Sequence, residues 1–304
     1  MSKTVVGLKP TFGRVSKAGV LPLSWRFDQA GPLARTVEDA ALCLDVIAGH
    51  DPADSTSAPR PAPGLTGALG GGIAGMRIGV PRHLLDRGVE PGVLSAFEEG
   101  LRTLGELGAT VREIDLPHSR FAIPVYYLVA TAEASSNLAR YDGVRYGRRM
   151  AAASLDEMYG RTRSAGFGAE VKRRIMLGTW VLSAGYYDAY YLKAQQVRTL
   201  IGSDFERAFA AVDAVALPTS PTPAFPLGER VADPLRMYLA DVFTVSASLA
   251  GLPALSVPCG FADGPLPVGL QLVGRAWDEA TLLRIAHTYE AATPWADRRP
   301  PGCH

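Results

Sequence analysis

Arg174 and Asp241 have the residue types that can hold a zwitterionic amino acid. A guanidinium group can bond both oxygens of a carboxylate at once, and an aspartate suits an ammonium group. Together the two side chains could clasp the α-carboxylate and the α-ammonium of one small molecule. The commoner alternative is a pair of solvated surface residues that contribute little. Residue types alone leave both interpretations open.

Hydrolysis of an amide would also need a nucleophile, a base and donors for the oxyanion. A Ser-His-Asp arrangement requires a histidine, and none lies in a recognisable motif. The histidines are His50, His83, His118, His287 and His304. The G-x-S-x-G turn that presents a nucleophilic serine is absent from the sequence. We therefore expect each histidine to be solvated or structurally bonded.

A Ser-Lys arrangement would need a lysine of lowered pKa beside a serine that lies in a glycine-rich segment. The lysines are Lys3, Lys9, Lys17, Lys172 and Lys193. Lys172 lies in a basic cluster with Arg173 and Arg174, which favours a lowered pKa. No glycine-supported serine accompanies Lys9 or Lys172, so solvated or ion-paired lysines are expected. The run Gly70–Gly72 lacks the Lys, Ser or Thr of a phosphate-binding loop and is expected to be a connector.

A compact polar patch, Ala132–Asn137, interrupts an apolar helical segment. Buried polar groups must be hydrogen-bonded, so one interpretation is helix packing with satisfied side chains. The other is one wall of a polar pocket. The sequence favours neither.

The composition is that of a soluble globular protein, and it indicates no strongly charged partner. It has 304 residues, 47% apolar and 20% charged, with a net charge of +1. This charge gives no reason to expect steering toward polyanions. No apolar run approaches the ~18 residues of a membrane span, and the first residues lack a secretory core. Cys43, Cys259 and Cys303 show no paired spacing, which predicts free thiols in a reducing cytoplasm and no metal site.

Hydrophobic periodicity predicts alternating helices and strands, and hence an α/β class. Predicted helices begin at Thr36 and Asp278, span Val93–Leu107 and Tyr126–Ala139, and occupy Gly168 to about Ala210 with a break near Gly185. Predicted strands are Met76–Val80, Thr110–Ile114, Ala214–Leu217, Ala254–Val257 and Val268–Val273. We expect one domain, with the Pro/Gly/Ser-rich segment Asp51–Gly72 as a long surface loop.

Several segments together resemble the amidase-signature family over essentially the whole chain. Three segments resemble general features of that family: Gly7–Leu23, Phe27–Ser57 and Leu266–Ala286. More selective segments are Tyr126–Gly147, Gly166–Ile201 (GFGAEVKRRI…GYYDAYY…KAQQVR) and Met237–Gly260. These are most similar to the glutamine-hydrolysing A subunits of glutamyl-tRNA(Gln)/aspartyl-tRNA(Asn) amidotransferases.

This resemblance implies a single amidase-signature domain, a mixed central sheet flanked by helices, of which residues 1–304 form the C-terminal part. It implies a Ser–cis-Ser–Lys triad that attacks the side-chain amide of glutamine. The ammonia would pass to a B subunit that converts Glu-tRNA(Gln) to Gln-tRNA(Gln), with a C subunit joining the pair. ATP and Mg²⁺ would be needed only in the B subunit, tRNA would be met only through a partner, and no membrane is involved.

The resemblance also assigns substrate-binding roles. Arg174 would hold the α-carboxylate of glutamine and Asp241 its α-ammonium, while Tyr126 would line the same pocket. These assignments depend on the family's motifs and were not reached from residue spacing.

One departure from the family's pattern bears on catalysis. The motif GLKPT, which follows the nucleophile in the family, already begins at Gly7, and Met1–Thr4 does not resemble the preceding segment. We therefore expect the triad upstream of Met1, no catalytic residue in this chain, and an incomplete sheet with unpaired edges.

The chain alone is accordingly expected to release no ammonia from glutamine. Turnover that survives Ser2→Ala and is lost on replacing another serine would contradict this expectation. Two alternatives stay open: part of a stand-alone amidase acting on other amides, and a degenerate fragment without catalysis.

Overall fold

The computed structural model describes residues 5–86, 88–230 and 233–298, which cluster into two compact units. The first unit comprises the described residues of 1–18, 29–123 and 199–304, and the second comprises 19–28 and 124–198. The predicted loop Asp51–Gly72 lies wholly within the first unit and contains a short 3₁₀ turn, Leu65–Ala68. The expectation of a single domain stays a prediction.

The first unit is built on a seven-stranded mixed sheet. Its strands are β1 (Val6–Lys9), β2 (Leu33–Ala34), β3 (Arg77–Val80), β4 (Thr110–Glu113), β5 (Ala214–Pro218), β6 (Ala254–Ala262) and β7 (Leu266–Val273). The strand order is β2-β1-β6-β7-β5-β3-β4. β3 pairs in parallel with β4 and β5, and the other pairings are antiparallel. The predicted mixed sheet is thus confirmed.

The described residues also form α-helices in both units. They are α1 (Val37–Ile47), α2 (Pro91–Glu106), α3 (Ala122–Asn137), α4 (Leu155–Gly166), α5 (Ala169–Val181), α6 (Lys193–Ala211), α7 (Pro234–Leu239), α8 (Val245–Leu249) and α9 (Glu279–Ala291). The predicted caps are observed: Thr36 accepts from the Asp39 N–H, and Asp278 accepts from the Thr281 N–H. None of the described helices is both long and apolar enough to cross a membrane.

The main core of the first unit lies between the sheet and helices α1, α2 and α9. α2 packs against both β6 and α9, since a Cβ built at Gly100 would contact Cys259 and the Tyr289 hydroxyl, each at 3.4 Å. Side chains of a strand alternate between its faces, so Leu255 and Val257 join this core while Ser256 faces the opposite side. That opposite side carries the cavity described below.

The second unit contains the helical region that was predicted to break near Gly185. α5 ends at Val181, Gly185 has a φ of +84°, and a π-helical turn, Tyr187–Leu192, leads into α6. Glycine adopts this left-handed conformation without the steric cost that other residues have. The break was therefore predicted, but the π-helical turn and α4 were not.

Candidate functional site

Arg174 lies on α5 in the second unit and is held by its neighbours. Its Nε donates to Oε1 of Glu170, one helical turn earlier, at 3.0 Å. Its guanidinium carbon lies 5.8 Å from the centre of the Tyr127 ring. Burial would lower the pKa of Arg174, but hydrogen bonds to Glu170 and Tyr126 raise it above its ordinary value. Arg174 is thus a fixed, permanently charged group whose side chain is only 21% exposed.

Tyr126 lies beside Arg174 in the same unit. Its ring packs edge-on against Tyr127, with 5.1 Å between ring centres, and at a tilt of 45° against Phe27, with 5.5 Å between ring centres. Arg198 lies over the same Phe27 ring at 5.3 Å. The second unit therefore presents a guanidinium group beside aromatic rings, which together can bind a carboxylate and the apolar carbons that carry it.

A close helix crossing sets the position of Arg174. A Cβ at Gly178 of α5 would lie 1.9 Å from the carbonyl oxygen of Thr131 on α3. Only glycine allows this approach of two backbones, and α3 carries Tyr126. The crossing therefore holds Arg174 and Tyr126 on neighbouring helices.

Gly178→Ala is expected to lower the free energy of unfolding by about 1–3 kcal/mol, because backbone atoms must move to admit the methyl group. Gly160→Ala on α4 is the matched control, since nothing lies within 4 Å of its added Cβ. There alanine should stabilise the helix by about 0.5–1 kcal/mol. Urea unfolding measures both variants. Equal stability of the two would show that the crossing is not tight.

The polar patch Ala132–Asn137 behaves as helix packing with satisfied side chains. Glu133 accepts from the Ser24 hydroxyl at 2.8 Å and pairs with Arg26 at 2.8 Å. The Asn137 amide donates to the carbonyl of Leu23 at 3.2 Å. These bonds fasten residues 19–28 to α3 within the second unit.

Asp241 lies in the first unit, in the turn between α7 and α8. Its carbonyl oxygen accepts from the N–H and the hydroxyl of Thr244, at 3.0 and 3.1 Å, and from the N–H of Val245 at 3.1 Å. The residue is exposed. The structure thus brings Tyr126 and Arg174 together in one unit and places Asp241 in the other.

A cavity of about 300 Å³ adjoins that turn within the first unit. It is hydroxyl-rich, with Thr219, Thr244, Ser248 and Ser256 among its lining residues. The hydroxyls of Thr219 and Ser256 lie 2.6 Å apart. A Cβ at position 269 would approach the Thr219 hydroxyl oxygen to 2.5 Å, so glycine there leaves room for the pair. The cavity can accept and donate hydrogen bonds to a polar ligand.

Lys9 also lines this cavity and differs from the sequence expectation. It was expected to be solvated or ion-paired. Its Nζ instead donates to neutral oxygens: the carbonyl of Leu252, Oε1 of Gln29 at 2.9 Å and the carbonyl of Pro10 at 3.3 Å. Burial lowers the pKa of Lys9 to about 7, and the more distant Glu279 opposes this shift. The expectation failed because burial of a β-strand end depends on tertiary packing.

Lys9 is expected to make stability depend on pH. Its pKa is about 7 in the folded chain and 10.5 ordinarily, so the unfolded chain binds more protons between these values. The free energy of unfolding should therefore rise with pH in that window, by up to about 1.4 kcal/mol per unit. Urea unfolding at pH 7, 8 and 9 measures the slope. Lys9→Met should remove it and Lys172→Met, at an exposed lysine, should not; an unchanged slope in Lys9→Met contradicts the account.

The remaining residues considered in the sequence analysis show no catalytic arrangement among the described residues. Nδ1 of His118 lies 3.0 Å from the fully buried Asp204 carboxylate, which fits a structurally bonded histidine. Across residues 5–86, 88–230 and 233–298, no three His, Cys, Asp or Glu side chains are grouped as a metal site requires. Ser2, Lys3, Cys303 and His304 lie outside the described residues.

Comparison with known proteins identifies the family. The sequence profile described as Amidase matches residues 2–283. The chain belongs to the amidase family. It is 58% identical over 296 residues to the A subunit of glutamyl-tRNA(Gln) amidotransferase from Chloroflexus aggregans, covering 97% of this chain and 60% of that protein. The chain thus spans about three fifths of the length of the curated relatives it matches, and it corresponds to their C-terminal part.

Solved structures confirm the amidase-signature fold. The A subunit of the same amidotransferase from Thermotoga maritima is 40% identical, with a TM-score of 0.78 over 96% of this chain and 58% of that one. A solved amidase is 29% identical, with a TM-score of 0.71 over 95% of this chain and 58% of that one. The predicted family and fold class are therefore both confirmed.

Sequence reasoning missed two residues that shape the environment of Arg174. Glu170 precedes Arg174 by four residues, a spacing that places both on one helical face and was readable from the sequence. Tyr127 carried no such signal, because its contact with Arg174 joins α3 to α5. Both belong to the geometry of the candidate site.

Proposed function

We propose that this chain is the glutamine-binding part of an amidotransferase A subunit, which releases ammonia from glutamine for the conversion of Glu-tRNA(Gln) to Gln-tRNA(Gln). The observation that carries the proposal is 58% identity, over 97% of this chain, to a subunit of that name. The fixed guanidinium of Arg174 beside two tyrosines supports it independently of the relatives' names.

In this proposal, Arg174 binds the α-carboxylate of glutamine through its guanidinium group. Asp241 binds the α-ammonium, and Tyr126 contacts the carbon chain. Glu170 acts on Arg174 rather than on glutamine. Its carboxylate accepts a hydrogen bond from Nε of Arg174 and thereby fixes the orientation of the guanidinium plane. The Ser–cis-Ser–Lys triad of the family supplies the nucleophile.

The proposal includes partners. A B-type subunit would use the ammonia together with ATP and Mg²⁺, and a C-type subunit would join the two. The net charge of +1 supports contact with tRNA through the partner rather than through this chain. The proposed location is the cytoplasm, where such a reaction would find aminoacylated tRNA.

A stand-alone amidase acting on other amides is the second candidate. The likeness to a solved amidase, with 29% identity and a TM-score of 0.71, supports this candidate through the fold and the general motifs. It gives no reason for a fixed arginine beside tyrosine rings, because many amides carry no carboxylate.

Substitution of this chain for the matching segment of the Chloroflexus aggregans protein tests the choice. Ammonia release from glutamine, from an aliphatic amide and from an aryl amide is then measured. The proposal predicts that kcat/KM for glutamine exceeds that for both other amides. Preference for either of the others would favour the stand-alone amidase and overturn the proposal.

A further inference from the structure

We propose that a second cleft in the first unit binds a small oxyanion, with the guanidinium of Arg284 as its main anchor. The cleft has a volume of about 370 Å³. The residues that decide its chemistry are Met76, Asp213, Arg275, Asp278, Thr281 and Arg284. It shares no lining residue with the cavity near Lys9, so the proposal stands apart from the proposed function.

The two carboxylates of the cleft already have partners. Oδ1 of Asp213 accepts from Nη2 of Arg77 at 2.7 Å, and Oδ2 accepts from its backbone N–H at 2.9 Å and its Nε at 3.2 Å. These bonds from Arg77 lower the pKa of Asp213 despite partial burial, so the pair stays ionised. Asp278 caps α9 by accepting from the Thr281 N–H at 3.3 Å. Asp213 is therefore paired with Arg77, and neither carboxylate bonds Arg284 among the described residues.

Arg284 has no such partner among the described residues. Its Nε is buried and makes no hydrogen bond, and its Nη2 contacts only the sulfur of Met76 at 3.8 Å. A thioether is a weak acceptor. A buried N–H group without a partner is unfavourable, and a guanidinium fork is the group best suited to bond two oxygens of one ligand.

Arg275 adds a second positive charge at a fixed position. One of its terminal nitrogens donates to the carbonyl oxygens of Phe209 and Val212, at 2.9 Å for Val212, and lies 3.8 Å from Asp213. With Arg77 included, three arginines face two aspartates, which leaves one net positive charge. A monovalent oxyanion would balance that charge.

Other features of the cleft suit an oxyanion better than an apolar ligand. The Thr281 side chain lines it and brings a hydroxyl donor. The N-terminal end of the 13-residue helix α9 also borders it, where Asp278 already accepts from the Thr281 N–H. Phosphate and carboxylate groups share this chemistry, and the experiment below separates them.

Binding to the purified 304-residue chain is measured by calorimetric titration with inorganic phosphate and with acetate, at constant ionic strength set by chloride. We expect saturable binding of at least one anion with a Kd of about 1 mM or tighter, and a matching rise in Tm. Binding of phosphate alone would identify a phosphate site. Equal binding of acetate would identify a site for carboxylates.

Arg284→Met keeps the volume of the side chain and removes its charge, so affinity should fall about tenfold or more. Arg112→Met, at an exposed arginine of the same unit, is the control and should leave affinity unchanged. Thr281→Val, which should weaken binding severalfold, serves if Arg284→Met fails to fold. Binding no stronger than that of chloride, or affinity that neither variant lowers, would overturn the proposal.

Discussion

Replacing Glu279 by alanine should lower the free energy of unfolding by about 3–5 kcal/mol, a large share of the stability of a typical domain. Glu279 is fully buried and pairs with Arg14 at 2.7 Å; the Arg14 side chain is only 6% exposed. The carboxylate also accepts from the backbone N–H of Thr11 at 2.8 Å. Alanine would leave a buried guanidinium uncompensated and a buried N–H without its partner.

Urea unfolding measures the loss, with Glu106→Ala as the control. Glu106 also pairs with an arginine, Arg102, but both side chains are about 60% exposed. Loss of that exposed pair should change stability by less than about 1 kcal/mol. A similarly small loss for Glu279→Ala would mean that the buried pair is not what joins the segment near Thr11 to α9.

The same pair gives stability a defined dependence on pH. Burial would raise the pKa of Glu279, but hydrogen bonds from Arg14 and Thr11 outweigh burial and hold it below its ordinary value. A carboxylate of lowered pKa contributes stability that is complete above its ordinary pKa and is lost as pH falls through the lowered value. Glu279→Gln should therefore lose less stability on acidification than the native chain does.

Replacing Arg174 by alanine should lower kcat/KM for glutamine about 10- to 100-fold in the chimeric protein, which corresponds to the loss of one charged hydrogen-bond pair. Arg174 is the fixed cation of the candidate site, tied to Glu170 and packed on Tyr127. If Arg174 binds the α-carboxylate, alanine removes the charge that holds this group.

Arg173→Ala is the matched control, because Arg173 is on the same helix and also pairs with Glu170. Its side chain is 47% exposed, whereas that of Arg174 is 21% exposed. Ammonia release should be nearly unchanged in this variant. Equal losses for Arg173→Ala and Arg174→Ala would indicate a general effect on α5 and not a contact with glutamine.

Local sequence signals predicted the elements that carry their own caps and periodicity. Thr36 and Asp278 begin helices because each supplies the acceptor that a first helical turn needs. The strand before Pro81 and the strand Ala214–Pro218 were evident as short apolar runs between turn signals. The family motifs added Arg174, Tyr126 and Asp241, which spacing alone would not have selected.

Features that depend on distant contacts could not be predicted in this way. Arg14 and Glu279 are 265 residues apart, and nothing local shows that their charges meet in the core. Lys9 was expected to be solvated or ion-paired, yet three neutral oxygens surround its ammonium group. The close approach at Gly178 likewise depends on α3, which is distant in sequence from α5.

The most direct test of the account uses glutamine without one of its α-groups. In the chimeric protein, kcat/KM is measured for glutamine, for glutaramic acid, which lacks the α-ammonium, and for 4-aminobutanamide, which lacks the α-carboxylate. Arg174→Ala should lower the value for glutamine and glutaramic acid and leave that for 4-aminobutanamide nearly unchanged. Asp241→Asn should lower the value for glutamine and 4-aminobutanamide and leave that for glutaramic acid nearly unchanged. Equal losses on all three substrates would contradict the assignment of these residues to the α-groups of glutamine.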